Sequence, residues 1–283
     1  MSPPKLVTAV PDVAWSNASR TGRVALVPTM GFLHDGHLSL MRAAREHADK
    51  VVVSIFVNPL QFGPSEDFAQ YPRNLEGDLA KCAQAGVDEV FHPDAAAFYP
   101  PGFQTHIEVT EVSQGLCGAR RPGHFRGVAT VVYRLFQLLQ PDVALFGDKD
   151  FQQLRVIQRM TSDLGLPIEV IGRPIVRESD GLAMSSRNTY LSALDRPRAL
   201  ALSRGLRAAQ AAFAKGERGP QALVALARQP VQAAELREDY VELCDPETLK
   251  PLASTTQATP DSRLLVAAFV GKTRLIDNVR LGG

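Results

Sequence analysis

Apolar and polar positions along the chain follow two periods. Residues 23 to 28 (RVALVP) and 50 to 59 (KVVVSIFVNP) are short β-branched runs, apolar on both faces, as strands in the middle of a parallel sheet require. Between them, HLSLMRAAREHA carries Leu38, Met41 and Ala44 at helical spacing behind a glycine-bearing turn, which predicts a β-loop-α-β unit. NLEGDLAKCAQAG (74 to 86) predicts a helix capped by Asn74 and closed by Gly86, with VDEVFHP as the strand after it. FRGVATVVYRLFQLLQP predicts a long apolar helix and DVALFG (142 to 147) a strand. DFQQLRVIQRMTSDLG is a helix with Asp150 near its start and Gly165 past its end, and IEVIG (168 to 172) completes the alternation. Strands alternating with helices predict a parallel sheet covered on both faces.

The pattern changes beyond about residue 175. LDRPRALALSRGLRAAQAAFAKGE predicts one Ala-rich amphipathic helix, with Pro197 tolerated only near its first turn, and QALVALARQ predicts a second. EDYVELCD, RLLVAAFVG and TRLIDNVRL predict strands, the last two joined tightly around Gly271 and Lys272. The expected fold class is therefore α/β. A Rossmann-like doubly wound parallel sheet over 1–175 is followed by a smaller α+β domain over 176–283.

Composition narrows the function classes. Apolar residues make up 45% and charged residues 22%, the mix of a globular protein. Lys and Arg total 31 against 30 Asp and Glu, so no basic excess marks a nucleic-acid binder. The opening residues MSPPKLVTAVPDVAW lack the apolar core of a signal peptide, and no run approaches the roughly 18 apolar residues of a membrane span. Three scattered cysteines suggest buried free thiols, with neither a disulfide framework nor a zinc site. The expected place is the cytoplasm, with no membrane or nucleic-acid partner.

The turn PTMGFLHDGHLSL (28 to 40) holds the first candidate chemistry. A zinc pair on a helix wants His at i and i+4, whereas His34 and His37 stand at i and i+3 in a loop, so no metal site is predicted. Gly31 and Gly36 have P-loop spacing, but His37-Leu38 replaces the Lys-Ser/Thr that clamps phosphate and magnesium. Two readings remain: imidazoles at a helix start that donate to phosphate oxygens, or histidines solvated in a surface loop. At ALFGDKDFQQL (144 to 154), Lys149 and Asp150 stand where a strand meets a helix, either as ligands or as an exposed Lys beside a capping Asp. RESDGLAMSSRN (177 to 188) sets Ser185, Ser186 and Arg187 in a glycine-containing loop, a set that suits a mobile clamp over a triphosphate.

His34-Asp35-Gly36-His37 resembles the H-x-G-H signature of the nucleotidyltransferase superfamily that includes class I aminoacyl-tRNA synthetases. The Met184–Arg187 loop resembles that superfamily's second signature, with Arg for the final Lys. PTMGFLHDGHLSL, SIFVNPLQF, YPRNLEGD, RPGHFRGVATVV, FGDKDFQQL and RESDGLAMSSRN together resemble one family, the pantoate–β-alanine ligases (pantothenate synthetases), in family order from about residue 24 to 191.

The resemblance implies ATP along Met30, Gly31, Phe32, Leu33, His34, Asp35, Gly36 and His37, with His37 as catalytic acid. Gly147, Asp148, Lys149 and Asp150, a backbone contact at Val176, and Met184, Ser185, Ser186 and Arg187 complete the implied nucleotide site. It implies pantoate between Gln61 and Gln153, whose neutral amides orient a carboxylate without quenching it. The implied reaction joins (R)-pantoate to β-alanine through pantoyl adenylate, with Mg2+ held mainly by ATP phosphates, in a homodimer. Asp78 is expected chiefly as a surface helix residue, or else as an outer contact of the magnesium. Tyr71, Arg73, His124 and Arg126 lie in matching stretches without an assigned role. The departures are small: Arg134 stands where Lys is common, and the additional arginine of GARRPGHF is expected at the rim. An adenylyl transferase acting on a phosphate acceptor would want basic residues where Gln61 and Gln153 stand, and a non-catalytic nucleotide-binding regulator would not need the His37, Lys149 and Arg187 set. A tRNA ligase would need an anticodon-reading domain and a basic excess.

Overall fold

Six short strands rich in Val, Ile and Leu make one parallel sheet in a computed structural model that describes residues 3–10, 21–64 and 66–283. Part of the opening stretch read for a secretion signal lies outside those residues. The strands are β1 (Lys5–Val7), β2 (Val24–Thr29), β3 (Lys50–Ile55), β4 (Glu89–Phe91), β5 (Val143–Gly147) and β6 (Glu169–Arg173), in the order β1-β4-β3-β2-β5-β6. β2 runs parallel to β3 from Val24↔Lys50 to Thr29↔Ile55, and to β5 at Ala25↔Val143 and Leu26↔Ala144. The sequence reading did not include β1: unlike the equally short but wholly buried β4, it buries only Val7 and leaves no apolar run.

Helices α1 (Asp35–His47), α2 (Leu75–Gln84), α3 (Ala95–Phe98), α4 (Leu116–Arg120), α5 (His124–Leu139) and α6 (Phe151–Asp163) fall between the strands. Ala25, Val27, Val51, Val53, Val143 and Leu145 share one sheet face and pack with Leu38, Met41 and Ala44 of α1. The alternate residues Leu26, Val52 and Ala144 are equally buried, as in a sheet covered on both faces. As predicted, α2 begins at Asn74, whose side chain accepts from Gly77 N, and ends before Gly86 at φ +73°. The chain leaves β2 toward β3 and β4, then returns to lay β5 on the other side. The strand order therefore reverses between β2 and β5, where open α/β sheets bind ligands beyond their carboxyl ends.

The chain groups into two compact units. The first comprises Met1–Ser113, Arg121–Asp148 and Gln153–Pro174, and the second Gln114–Arg120, Lys149–Gln152 and Ile175–Gly283. The grouping is thus not a single cut in the chain. In the second unit α7 (Asp195–Ala199), α8 (Ala201–Ala214) and α9 (Pro220–Ala233) precede an antiparallel sheet, β7 (Arg237–Cys244), β8 (Arg263–Val270) and β9 (Thr273–Arg280), in that order. Leu202, Leu206, Leu223, Val231, Leu264 and Val266 belong to its core. The single Ala-rich helix predicted from Leu194 onward is two helices, broken at Leu200. Arg196 is drawn to Glu178 and Asp180, and Arg198 to the Ala234 and Glu235 carbonyls, which holds α7 as a separate turn. Cys82, Cys117 and Cys244 are buried free thiols. Among the described residues no helix is long and apolar enough to cross a membrane.

Candidate active site

The turn after β2 is fixed by its backbone N–H groups. Thr29 Oγ1 donates to Ser54 O on β3 (2.8 Å) and accepts from Gly31 N (3.2 Å). Gly31 (φ +82°) and Phe32 (φ +51°) are both left-handed, and a Cβ on Gly31 would lie 3.0 Å from both Asp78 Oδ2 and Ile55 Cγ2. Glycine is required at the first position, and Phe32 stores strain of about 1 kcal/mol or more at the second. The Asp78 carboxylate on α2 answers it, accepting from Phe32 N at 2.8 Å and Leu33 N at 2.7 Å. One helical turn on, Lys81 Nζ donates to Leu33 O at 2.6 Å. Asp78 is 2% exposed, so it is no surface residue. In the sequence it reads as an acid favourably placed in a helix's first turn; its contacts lie 45 residues earlier and leave no local mark.

The two histidines of the turn lie against each other. His34 is the N-cap of α1, its carbonyl accepting from His37 N (2.8 Å) and Leu38 N (3.1 Å). The ring centroids are 4.0 Å apart and tilted by 31°. His34 N donates to His37 Nδ1 at 3.3 Å, so the neutral His37 ring carries its proton on Nε2. Counting from Gly31 to His34, four successive backbone N–H groups end on Thr29, Asp78, Asp78 and His37. What the turn can offer a phosphate is imidazole and the first helical turn of α1, where Asp35 and Gly36 lie.

Gln61 closes a 3-10 turn, Pro59–Gln61, beyond the end of β3 and is buried. Its Oε1 accepts from Asn58 Nδ2 (3.0 Å), and its Nε2 points at Met30 Sδ (3.2 Å). Two sequence-predicted residues, Met30 and Gln61, are thereby adjacent. Asn58 is held in turn by the Tyr99 hydroxyl, a donor at 3.0 Å, and burial pushes that phenol well above its ordinary range. His124 Nδ1 meets Gln61 O at 2.8 Å, and Arg121 donates to His124 Nε2, to Gln61 O and to both oxygens of Glu66. Burial alone would raise the Glu66 carboxyl; the hydrogen bonds and charge of Arg121, with His124, hold it below the usual carboxylate range. Arg121 is therefore a brace behind Gln61, with its side chain 15% exposed. Gly127 of α5 packs directly on this turn, and Asn58 Nδ2 also donates to its carbonyl. Tyr71 is buried edge-on to Phe62, Arg73 donates to the Tyr71 and Phe68 carbonyls, Arg126 is exposed, and Arg134 lies over the Phe98 and Phe103 rings.

Gly147 ends β5, and Asp148 fits because Gly172 on β6 has no Cβ to meet its carboxylate. Gln153, half-buried on α6, belongs to the first unit with Gly147 and Asp148. Its neighbour Gln152 is buried, accepting from Cys117 N and donating to Gln114 O, and is thus fully engaged in structure.

The second unit gathers the rest. Lys149, whose Nζ lies 3.8 Å from Asp150 Oδ2, lines one small cavity with Ser185, Asn188 and Asp277. Val176 O accepts from Met184 N (3.0 Å), and Ser185 Oγ caps the 3-10 turn Ser186–Tyr190 by accepting from Arg187 N. Ser186 is buried and Arg187 half-buried. The loop is pinned at its base, where Arg177 bonds Asp277 through both guanidinium nitrogens (2.7 and 3.0 Å) and Asn188 donates to Glu178. Among the described residues no group of three or more His, Cys, Asp or Glu is assembled as a metal site.

Sequence reasoning missed Asp78, Asn58 and Arg121 as supports of the site. Asn58 could have been found, since an Asn ahead of Pro at a strand end signals a built turn.

The model of the family described as Pantoate-beta-alanine ligase matches residues 5–280. A pantothenate synthetase of Myxococcus xanthus is 60% identical over all of this chain and 98% of its own length. One from Anaeromyxobacter dehalogenans is 57% identical over 99% of the chain and 100% of its own. The crystal structure of pantothenate synthetase from Thermus thermophilus superposes with a TM-score of 0.92 at 47% identity, covering 98% of this chain and 99% of that one. Pantoate-beta-alanine ligase from Francisella tularensis, solved as a complex with β,γ-ATP and β-alanine, gives a TM-score of 0.82 at 30% identity over 99% and 98%. With the H-x-G-H turn at the sheet's switch point, Gln61 braced beside it and the match running almost end to end, the chain belongs to the pantoate–β-alanine ligase family.

Proposed function

We propose that His37 is the acid of an adenylation site on the H-x-G-H turn, and that Gln61 and Gln153 present pantoate to it. The enzyme condenses (R)-pantoate with β-alanine, using ATP, to give pantothenate, AMP and pyrophosphate. In the first step the pantoate carboxylate attacks the α-phosphorus of ATP and pyrophosphate leaves; in the second the β-alanine amine attacks the pantoyl adenylate and AMP leaves.

One observation carries the residue roles. Because His37 Nδ1 accepts from the His34 backbone, its ring proton sits on Nε2, the nitrogen that would donate to a bridging phosphate oxygen as charge grows there. The amide of Gln61 supports the pantoate assignment, since Asn58 saturates part of its Oε1 and leaves Nε2 with a proton beyond the weak Met30 sulfur contact. Met30 to His37, Gly147 to Asp150, Val176 and Met184 to Arg187 would hold the nucleotide, with Lys149 and Arg187 as its cationic contacts. The donor set of imidazole, ammonium and guanidinium fits phosphate rather than metal. Magnesium would sit on phosphate oxygens and water, where it neutralises charge. This reading assigns residues 1–175 to nucleotide and pantoate and 176–283 to the clamp, in a cytoplasmic homodimer.

The test is exchange of labelled pyrophosphate into ATP without β-alanine. Pantoate-dependent exchange that falls by about 100-fold or more in His37→Ala is the expected result. ADP instead of AMP as product, with no exchange, would mean an acyl phosphate and refute the adenylate.

A further inference from the structure

In the turn where φ is positive at Gly31 and Phe32, the consecutive backbone donors Phe32 N and Leu33 N both aim at one carboxylate, an anion-binding concavity or nest. In a glycine-rich phosphate loop such a nest takes the ligand's oxygens. Here it is already occupied from within: the Asp78 carboxylate takes Phe32 N and Leu33 N, and Lys81, on the same face of α2, takes Leu33 O. We infer that Asp78 and Lys81 are positioning residues which plug this nest and clamp the turn from both sides of its backbone, so that phosphate recognition passes to the His34 and His37 side chains. The inference rests on the adenylation reading above.

The physical reason concerns aim. His34 N is the next donor along the chain after Leu33, and it is the group that orients His37 through Nδ1. A backbone rotation at Phe32 or Leu33 therefore swings the His34 amide and the imidazole that depends on it. A carboxylate is needed because both of its oxygens accept; an amide would set an N–H against one of the two backbone donors. With Asp78 2% exposed, no solvent stands ready to replace the lost acceptor. The charge of Lys81 also complements the buried carboxylate, as an ammonium at i+3 on the same helix can.

The experiment compares Asp78→Asn and Lys81→Met with the wild type in pantoate-dependent pyrophosphate exchange, varying pantoate and Mg2+ in turn. Asp78→Asn is expected to lose at least tenfold in the rate at saturation, with the pantoate KM and the half-saturating Mg2+ within twofold of wild type. Lys81→Met, which keeps the nest plugged, is expected to lose severalfold in the same parameter. An unchanged rate in Asp78→Asn overturns the inference, as does a rate restored by raising Mg2+, which would place the carboxylate at the metal. Should Asp78→Asn fail to fold, Lys81→Met decides: wild-type rates there overturn the clamp. Absence of exchange in the wild type would overturn the adenylation reading itself, whereas normal wild-type exchange with undisturbed variants overturns the positioning role alone.

Discussion

Gly127→Ala is the sharpest test of how α5 shapes the turn that carries Gln61, the residue proposed to hold pantoate. A Cβ at this position would stand 2.7 Å from Gln61 N and closer still to the Leu60 carbonyl, where Cβ atoms essentially never come within 3.0 Å. Backbone cannot rotate away as a side chain can, so helix and turn must separate by on the order of 1 Å, as overpacked interiors do. Overpacking costs about 1–3 kcal/mol, against about 1 kcal/mol recovered from replacing a helical glycine. The net loss of stability is thus small, about 0–2 kcal/mol, and leaves a folded enzyme. With Gln61 holding pantoate as proposed, function suffers more, because a 1 Å displacement of a substrate-holding turn costs up to roughly 100-fold. Initial rates of exchange at varied pantoate should show kcat/KM for pantoate down by about 10- to 100-fold, with the ATP KM little altered. Thermal melting monitors the fold in parallel. Wild-type kcat/KM for pantoate in a variant that melts only slightly lower would refute the claim that this helix sets the position of Gln61.

Arg177→Ala should be the more damaging change to the fold. It strips Asp277, 3% exposed, of a two-pronged partner at the base of the Ser185–Arg187 loop, and denaturant titration should show a loss of about 3 kcal/mol. Glu66 predicts an acid-side effect. Its folded carboxyl titrates below the ordinary value of 4.5, so its stabilisation is complete above that value and drains away as the pH falls through the lower folded one. Glu66→Gln should flatten that part of the stability–pH curve in denaturant titrations run from pH 5 downward, while an identical slope in the variant would count against the Arg121 brace. Burial pushes the Cys82 and Cys244 thiols up to about 12, helped by Asp78 for the first and Glu242 for the second. Neither should react with a thiol reagent at neutral pH until the protein is unfolded, which mass spectrometry of alkylated peptides would show.

The strands and long helices were legible because burial on both faces writes β-branched runs, and an amphipathic face writes a 3.6-residue period. β1 escaped because two of its three residues are exposed, whereas the equally short β4 is buried throughout and reads as a strand. The break at Leu200 escaped for another reason: the local pattern is helical throughout, and only the guanidinium contacts of Arg196 and Arg198 with distant partners separate α7 from α8. The site divides the same way. His34, His37 and the Ser185–Arg187 loop sit in short motifs whose spacing is itself the signal. Asp78 and Arg121 act on backbone atoms 46 and 60 positions away, and nothing in a helix's own composition tells a carboxylate that faces solvent from one that faces a turn. Gly127 likewise reads as a weak point in a helix until the turn lying on it is seen.

The placement of β5 beside β2 also bears on how the chain comes to be folded. Val24 N bonds the Asp142 carboxylate across 118 positions, while β2 can meet β3 as soon as one short helix has formed. A seam of such sequence separation carries a high loop-closure entropy and forms late. During synthesis, β2 and β3 would wait with one apolar edge open until residues beyond 147 had left the ribosome. The edge left waiting leads into the turn that carries His34 and His37, which makes this stretch the one most in need of chaperone cover and the place where slowed translation or heat would first turn a nascent chain toward aggregation.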